Sequence, residues 1–219
     1  MSTIRKIRNS LFKVFIVTFL ISLSFYSSYK NTIQKEVTYL NQKSSITDSL
    51  SYQNRHTATK SRNSAVRLVS MSEDGGALSS MSGTYVKFLN RHYVLTVMHG
   101  LVGTCDLTKV LVGENYYDCI EYIKGDSSSD YMIMEVEPIH DKIPLSLLTD
   151  VPILNDRNKV PEDLEQVYYT GYPDTMGPFT VDGRVMGYDP PDGRNFYIFS
   201  YAWMGASGSG VFGESGKLI

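Results

Sequence analysis

The stretch Gly83–Gly100, GTYVKFLNRHYVLTVMHG, decides the class of fold. Gly83–Leu89 and Tyr93–Val97 are short runs of aromatic and β-branched residues, and Asn90-Arg91 between them is a turn signal, so the pair reads as two strands. Working outward, Ala65–Ser70, Lys109–Val112, Cys119–Ile123, Tyr131–Val136, Val167–Gly171, Arg184–Tyr188, Phe196–Tyr201 and Gly210–Phe212 have the same character. Gly113-Glu114, Asp182-Gly183, Asp192-Gly193 and Glu214-Ser215-Gly216 supply turns between many of them. Ten strands with no long amphipathic helix predict an all-β sandwich or barrel pair over residues 63–219.

With 219 residues, 42% hydrophobic and 20% charged, the chain can bury an ordinary core, which excludes a disordered or collagen-like protein. Two cysteines exclude a disulfide-dense scaffold and a four-cysteine zinc site. Charge divides unevenly: residues 1–62 carry ten Lys/Arg against Glu36 and Asp48, a balance of +8. The remainder carries eleven against twenty-one, a balance of −10. An acidic body lacks the positive face that displaces counterions from a phosphate backbone, so no nucleic-acid partner is expected.

Residues 1–29 read as a targeting segment. Arg5, Lys6, Arg8 and Lys13 precede the apolar run Val14–Phe25, VFIVTFLISLSF, and no charge returns before Lys30. The uncharged run is short for a span, but Leu11 and Phe12 lengthen it if Lys13 snorkels. A small-x-small cleavage site would have to use serines such as Ser22 and Ser24, so an uncleaved signal anchor is favoured over secretion after cleavage. The basic cluster then puts the N-terminus in the cytoplasm and the body across the membrane. Residues 30–62, rich in Ser, Thr, Asn, Gln and Lys, read as a flexible stalk.

Three places in the body hold candidate chemistry. Gly205–Phe212, GASGSGVF, follows a strand; glycines beside Ser207 free the backbone so that the N–H groups of Gly205 and Ser207 can point at one developing oxyanion. A serine needs a base. His56 is in the stalk, His140 is in a charged loop and His92 precedes a strand, whereas His99 stands where a buried strand emerges into a loop. Asp130, at the head of Tyr131–Val136, can orient and balance an imidazole. Singly, each residue is equally a turn or packing residue; in the order His99, Asp130, Ser207 they form a nucleophilic triad.

Here the chain resembles the chymotrypsin-like (trypsin-like) serine proteases, especially compact bacterial, phage and HtrA-like members. Tyr93–Gly100 is similar to that family's strand ending in the histidine motif, Asp130–Val136 to its aspartate motif, and Gly205–Phe212 to its nucleophile motif. The resemblance implies two packed antiparallel β-barrels with the triad between them. It also implies hydrolysis of a polypeptide substrate through an acyl-enzyme, with no metal or organic cofactor. Ser207 would be the nucleophile, His99 the base then acid, Asp130 the orienter, and Gly205 and Ser207 the oxyanion donors. By the same analogy Tyr201 lies near the base of the substrate pocket.

The sequence departs from the family in several places. Val97 and Met98 replace small residues before the histidine, and Gly100 stands where some members carry cysteine. Only twelve residues follow Ser207, so the second barrel is expected to lack its closing strands, as in a C-terminally incomplete chain. A catalytically inactive binding module on a membrane stalk is the alternative this raises. Cys105 and Cys119 flank a hairpin; a bridge and two buried thiols are both open.

Overall fold

The computed structural model describes residues 34–35, 53–150, 163–174, 176–188 and 195–219. The apolar run at 14–25 and the Asp192-Gly193 turn lie outside them. Among the described residues no helix is long and apolar enough to cross a membrane.

The chain is mostly β. β1 (Ala65–Met71), β2 (Leu78–Phe88), β3 (Arg91–Thr96), β4 (Thr108–Val112), β5 (Asn115–Asp126) and β6 (Tyr131–Val136) pair in the order β1-β4-β5-β6-β3-β2. β2 then pairs with β1, which closes a six-stranded barrel. Closure satisfies every backbone edge that an open sheet would expose. Alternation sends Val66, Leu68, Met81, Tyr85, Val94, Val110, Met134 and Val136 inward, all buried. A two-residue strand, β7 (Leu145–Ser146), runs parallel to the end of β2.

A second sheet has the order β10-β9-β8-β11, from β8 (Gln166–Gly171), β9 (Phe179–Tyr188), β10 (Phe196–Ser200) and β11 (Val211–Gly213). Among the described residues it is open, and a second barrel is not seen. β2 joins the halves because both its faces are covered over Met81–Val86. Met81 and Tyr85 fill the barrel, while Val86 packs with Leu145, Phe212 and Leu218 outside it.

Three sequence expectations differ from what is found. Asp182-Gly183 is not a turn but lies inside β9, where a Cβ on Gly183 would sit 2.7 Å from Ser200 Cβ; the glycine is there for strand packing. β2 begins at Leu78, within the serine-rich stretch left out of the expected strand. Residues 53–64, most of them assigned to the stalk, are helical and belong to the compact unit Tyr52–Ile219. The buried face of that helix is Thr57, Ser61 and Ser64, a helical spacing written in small polar residues. Ser61 Oγ lies 2.9 Å from Thr170 Oγ1, Lys60 Nζ is 2.7 Å from Asp150 Oδ1, and Arg62 Nη1 donates to Pro178 O at 2.9 Å.

Candidate active site

His99 and Asp130 come from adjacent strands of the barrel. β3 and β6 run antiparallel with Thr96 opposite Met132, so the residues just beyond Thr96 and just before Tyr131 share one end. There the chain turns, Leu101 N donating to Met98 O at 3.0 Å, and His99 sits in that turn. Asp130 adopts φ +49°, a left-handed conformation that costs an L-residue energy. Three donors hold it: Asp130 Oδ1 accepts from Met98 N (3.1 Å) and His99 N (2.9 Å), and Oδ2 lies 2.6 Å from His99 Nδ1. Desolvation pushes this carboxyl up, but the His99 side chain, the His99 N–H and the Met98 N–H together outweigh it and hold Asp130 below the usual carboxylate range. An ionised carboxylate only accepts, so Nδ1 carries the proton and Nε2 of neutral His99 keeps its lone pair. Both side chains are about half exposed, at 58% and 44%. His92, by contrast, has Nδ1 engaged with the Tyr85 hydroxyl at 2.5 Å.

Ser207 lies in the loop between β10 and β11. Two turns shape it, Ala206 N to Trp203 O (3.0 Å) and Ser209 N to Ala206 O (3.1 Å). Gly205 (φ +89°) and Gly208 (φ +87°) take angles that side chains avoid. The N–H groups of Gly205 and Ser207 are left without an acceptor among the described residues, two donors free for an external oxyanion.

Ser82 fixes this loop to the barrel, and the sequence reading missed it. Its N–H donates to Ser207 O (2.8 Å), its hydroxyl donates to Gly205 O (2.6 Å) and accepts from Tyr172 N (2.8 Å), and its carbonyl accepts from Thr96 Oγ1 (2.7 Å). The available signal was the alternation Ser80-Met81-Ser82-Gly83-Thr84-Tyr85, a strand pattern with small polar residues on one face.

His99 and Asp130 are thus brought into contact, and the Ser207 backbone is seated beside Thr96, the end of the strand that leads to His99. The Ser207 hydroxyl makes no hydrogen bond among the described residues. Tyr201 is exposed, stacks on Trp203 at 6.1 Å and accepts a hydrogen bond at its carbonyl from the Tyr169 hydroxyl. Cys105 and Cys119 are bridged, tying the 3-10 turn Cys105–Leu107 after the His99 loop to β5.

A sequence model of the family described as a trypsin-like peptidase domain matches residues 81–219. The chain belongs to the trypsin-like peptidases. The match begins at Met81, beside Ser82, and runs through all three candidate segments. No curated protein matches the sequence. Among solved structures, the chain is similar to the serine endoprotease from Yersinia pestis at 18% identity and a TM-score of 0.56, over 75% of this chain and 55% of that one. It is also similar to a protease from M. tuberculosis in its active form, at 17% identity and a TM-score of 0.55, over 76% and 72%. This trypsin-like peptidase therefore has a serine-protease fold and spans about half the length of the Yersinia protein.

Proposed function

We propose that this peptidase is a serine endopeptidase working through an acyl-enzyme, with its body held across a membrane from a cytoplasmic N-terminus. The observation that carries the reading is the pairing of the His99 imidazole with the three-fold anchored Asp130 carboxylate, beside a serine loop with two free N–H donors. The anchor rests on the basic cluster and apolar run of residues 1–29.

In this mechanism Ser207 Oγ attacks the scissile carbonyl carbon while His99 Nε2 takes its proton. The C=O electrons move onto oxygen, where the Gly205 and Ser207 N–H groups receive the charge. Imidazolium, balanced by Asp130, protonates the leaving amine as the C–N bond breaks and the acyl-serine forms. Water, deprotonated by Nε2, then attacks the ester; the acid leaves and Ser207 regains its proton.

No hydrogen bond joins His99 to the Ser207 hydroxyl among the described residues, and catalytic hydrogen bonds commonly tighten only when substrate binds. A binding module with no turnover is the competing reading, favoured by that missing hydrogen bond. Fluorophosphonate labelling separates them. We expect the full chain to label, Ser207→Ala to lose the label entirely, and His99→Ala to label on the order of 10³-fold more slowly. A folded wild-type chain that takes no label, or label that survives in Ser207→Ala, would overturn the assignment.

A further inference from the structure

Thr170 and Gly171, neighbours in β8, look to opposite faces of the second sheet. On the Gly171 side a Cβ would stand 2.6 Å from Ser209 Oγ and 3.2 Å from both Ala206 Cα and Ser82 Oγ, so the serine loop and Ser82 rest there. On the Thr170 side rests the helix at 53–64. Ser61 Oγ, buried, donates to Thr170 Oγ1 at 2.9 Å, and Thr170 Oγ1 lies 3.0 Å from Thr180 Oγ1 of β9. The strand beneath the serine loop is thus held from both faces.

The helix grips the rest of the same sheet as well. Gln53 Nε2 donates to Glu214 O at 2.9 Å, just past β11, and Arg62 reaches Pro178 O ahead of β9. Lys60 pairs with Asp150, whose carbonyl accepts from Leu218 N at 2.9 Å, and Leu218 bridges to Phe212 of β11. At its other end the helix runs directly into Ala65 of β1, and Ile143 N donates to Asn63 O at 3.1 Å. It is an extension of the barrel laid across the face of the sheet that points away from Ser207. Ser82 and the contact of Val86 with Phe212 both hang the sheet on β2, a single line about which it can swing. An attachment on the opposite face removes that freedom. The helix interface is written in Thr57, Ser61 and Ser64 rather than in apolar bulk. Hydrogen bonds exchanged for water stabilise little net, so this docking opens more readily than the closed barrel.

We propose that the helix at 53–64 is a strap that positions the nucleophile, with Lys60 and Ser61 as its positioning residues; this rests on Ser207 being the nucleophile. Docked, it fixes the second sheet against the barrel and holds Ser207 toward His99. Undocked, the barrel keeps His99 and Asp130 paired while Ser207 moves out of reach. Residues 1–52 join the body through this helix, so a load or a partner acting on them acts on the site.

The test reads the full chain by fluorophosphonate labelling and by amide hydrogen exchange, which follows helix, sheet and barrel separately. Ser61→Leu is too large for its buried place against Thr170 and should free the helix. Amides of 53–64, β8 and β11 should then lose protection while those of β3 and β6 keep theirs, and labelling should slow on the order of 10-fold or more. Lys60→Glu, which repels Asp150, should act in the same direction, and adding Asp150→Lys should re-form the pair and recover most of the labelling rate. Undiminished labelling with the helix free, a helix that stays protected in both variants, barrel amides that lose protection with it, or no recovery in the exchanged pair would overturn the proposal. A folded wild type that takes no label overturns the catalytic reading instead. The strap then stands or falls on whether β8 and β11 loosen with the helix while the barrel holds.

Discussion

Single residues carry this site with little redundancy. Gly208 is the tightest glycine of the serine loop: at φ +87°, a Cβ would fall 2.2 Å from Ser82 O and 2.6 Å from Thr96 Oγ1. The backbone cannot give way there without breaking the contacts that seat Ser207. Gly208→Ala should cost about 2 kcal/mol or more of stability, read as a lowered urea midpoint, and should slow fluorophosphonate labelling in the molecules still folded. Asp130 illustrates the opposite balance, a strained residue locked by its partners. Because its folded-state pKa is depressed, its small contribution is present above the usual carboxylate range and fades as pH falls through the folded value. Asp130 is therefore ionised throughout the neutral range. His99 and Asp130 stand out in the sequence because each sits at an end of an apolar strand, His99 just after Tyr93–Val97 and Asp130 just before Tyr131–Val136. Ser82 does not, since a serine among serines has no signature until its neighbours in space are known.

At the scale of elements, strands were legible wherever apolar residues alternate, as in β3 and β6, and obscure wherever small polar residues do the packing. The helix at 53–64 hides for the same reason: its buried face is Thr57, Ser61 and Ser64, which composition alone assigns to a solvated stalk. Its docking rests on hydrogen bonds and the Lys60–Asp150 pair, both partners largely shielded. Burial raises the Asp150 carboxyl, yet the Lys60 hydrogen bond and the Ser146 N–H bring it below its ordinary value. Lys60→Met should destabilise the protein by about 1 kcal/mol at neutral pH. The stability that wild type loses as pH falls through the folded Asp150 value should shrink in the variant, and urea midpoints from pH 3 to 7 measure both. The nearby Arg62 hydrogen bond to Pro178 O ties the same helix to the residue that leads into β9.

For the whole molecule, the closed barrel follows from six strand-like runs separated by turns. Among the described residues the second sheet is open. The sequence leaves a Cys105–Cys119 bridge and two buried thiols both open, because fourteen residues of separation do not fix how two thiols approach, and the structure shows the bridge. The contact between the helix and the body carries an unusual charge. Lys142 Nζ donates to Arg62 O at 3.1 Å and lies over the Tyr172 ring at 5.8 Å; burial, with the Arg62 charge, lowers its pKa from 10.5 to about 8. The folded protein holds this proton less tightly than the unfolded chain, so raising pH from about 8 toward 10.5 adds stability at this residue. Lys142→Met should flatten that alkaline rise in urea midpoint; an unchanged slope would assign the rise elsewhere.

β2, which lends one face to each half, has a consequence for how the molecule can fail. The imidazole–carboxylate pair belongs to a barrel that closes on itself, whereas Ser207 lies in a loop of a sheet that is open among the described residues, and Ser82 is the rivet between them. Partial melting that released only the sheet would leave the barrel amides protected from hydrogen exchange and still separate His99 from Ser207. A site that needs both halves would therefore last only as long as their seam, and less long than the barrel.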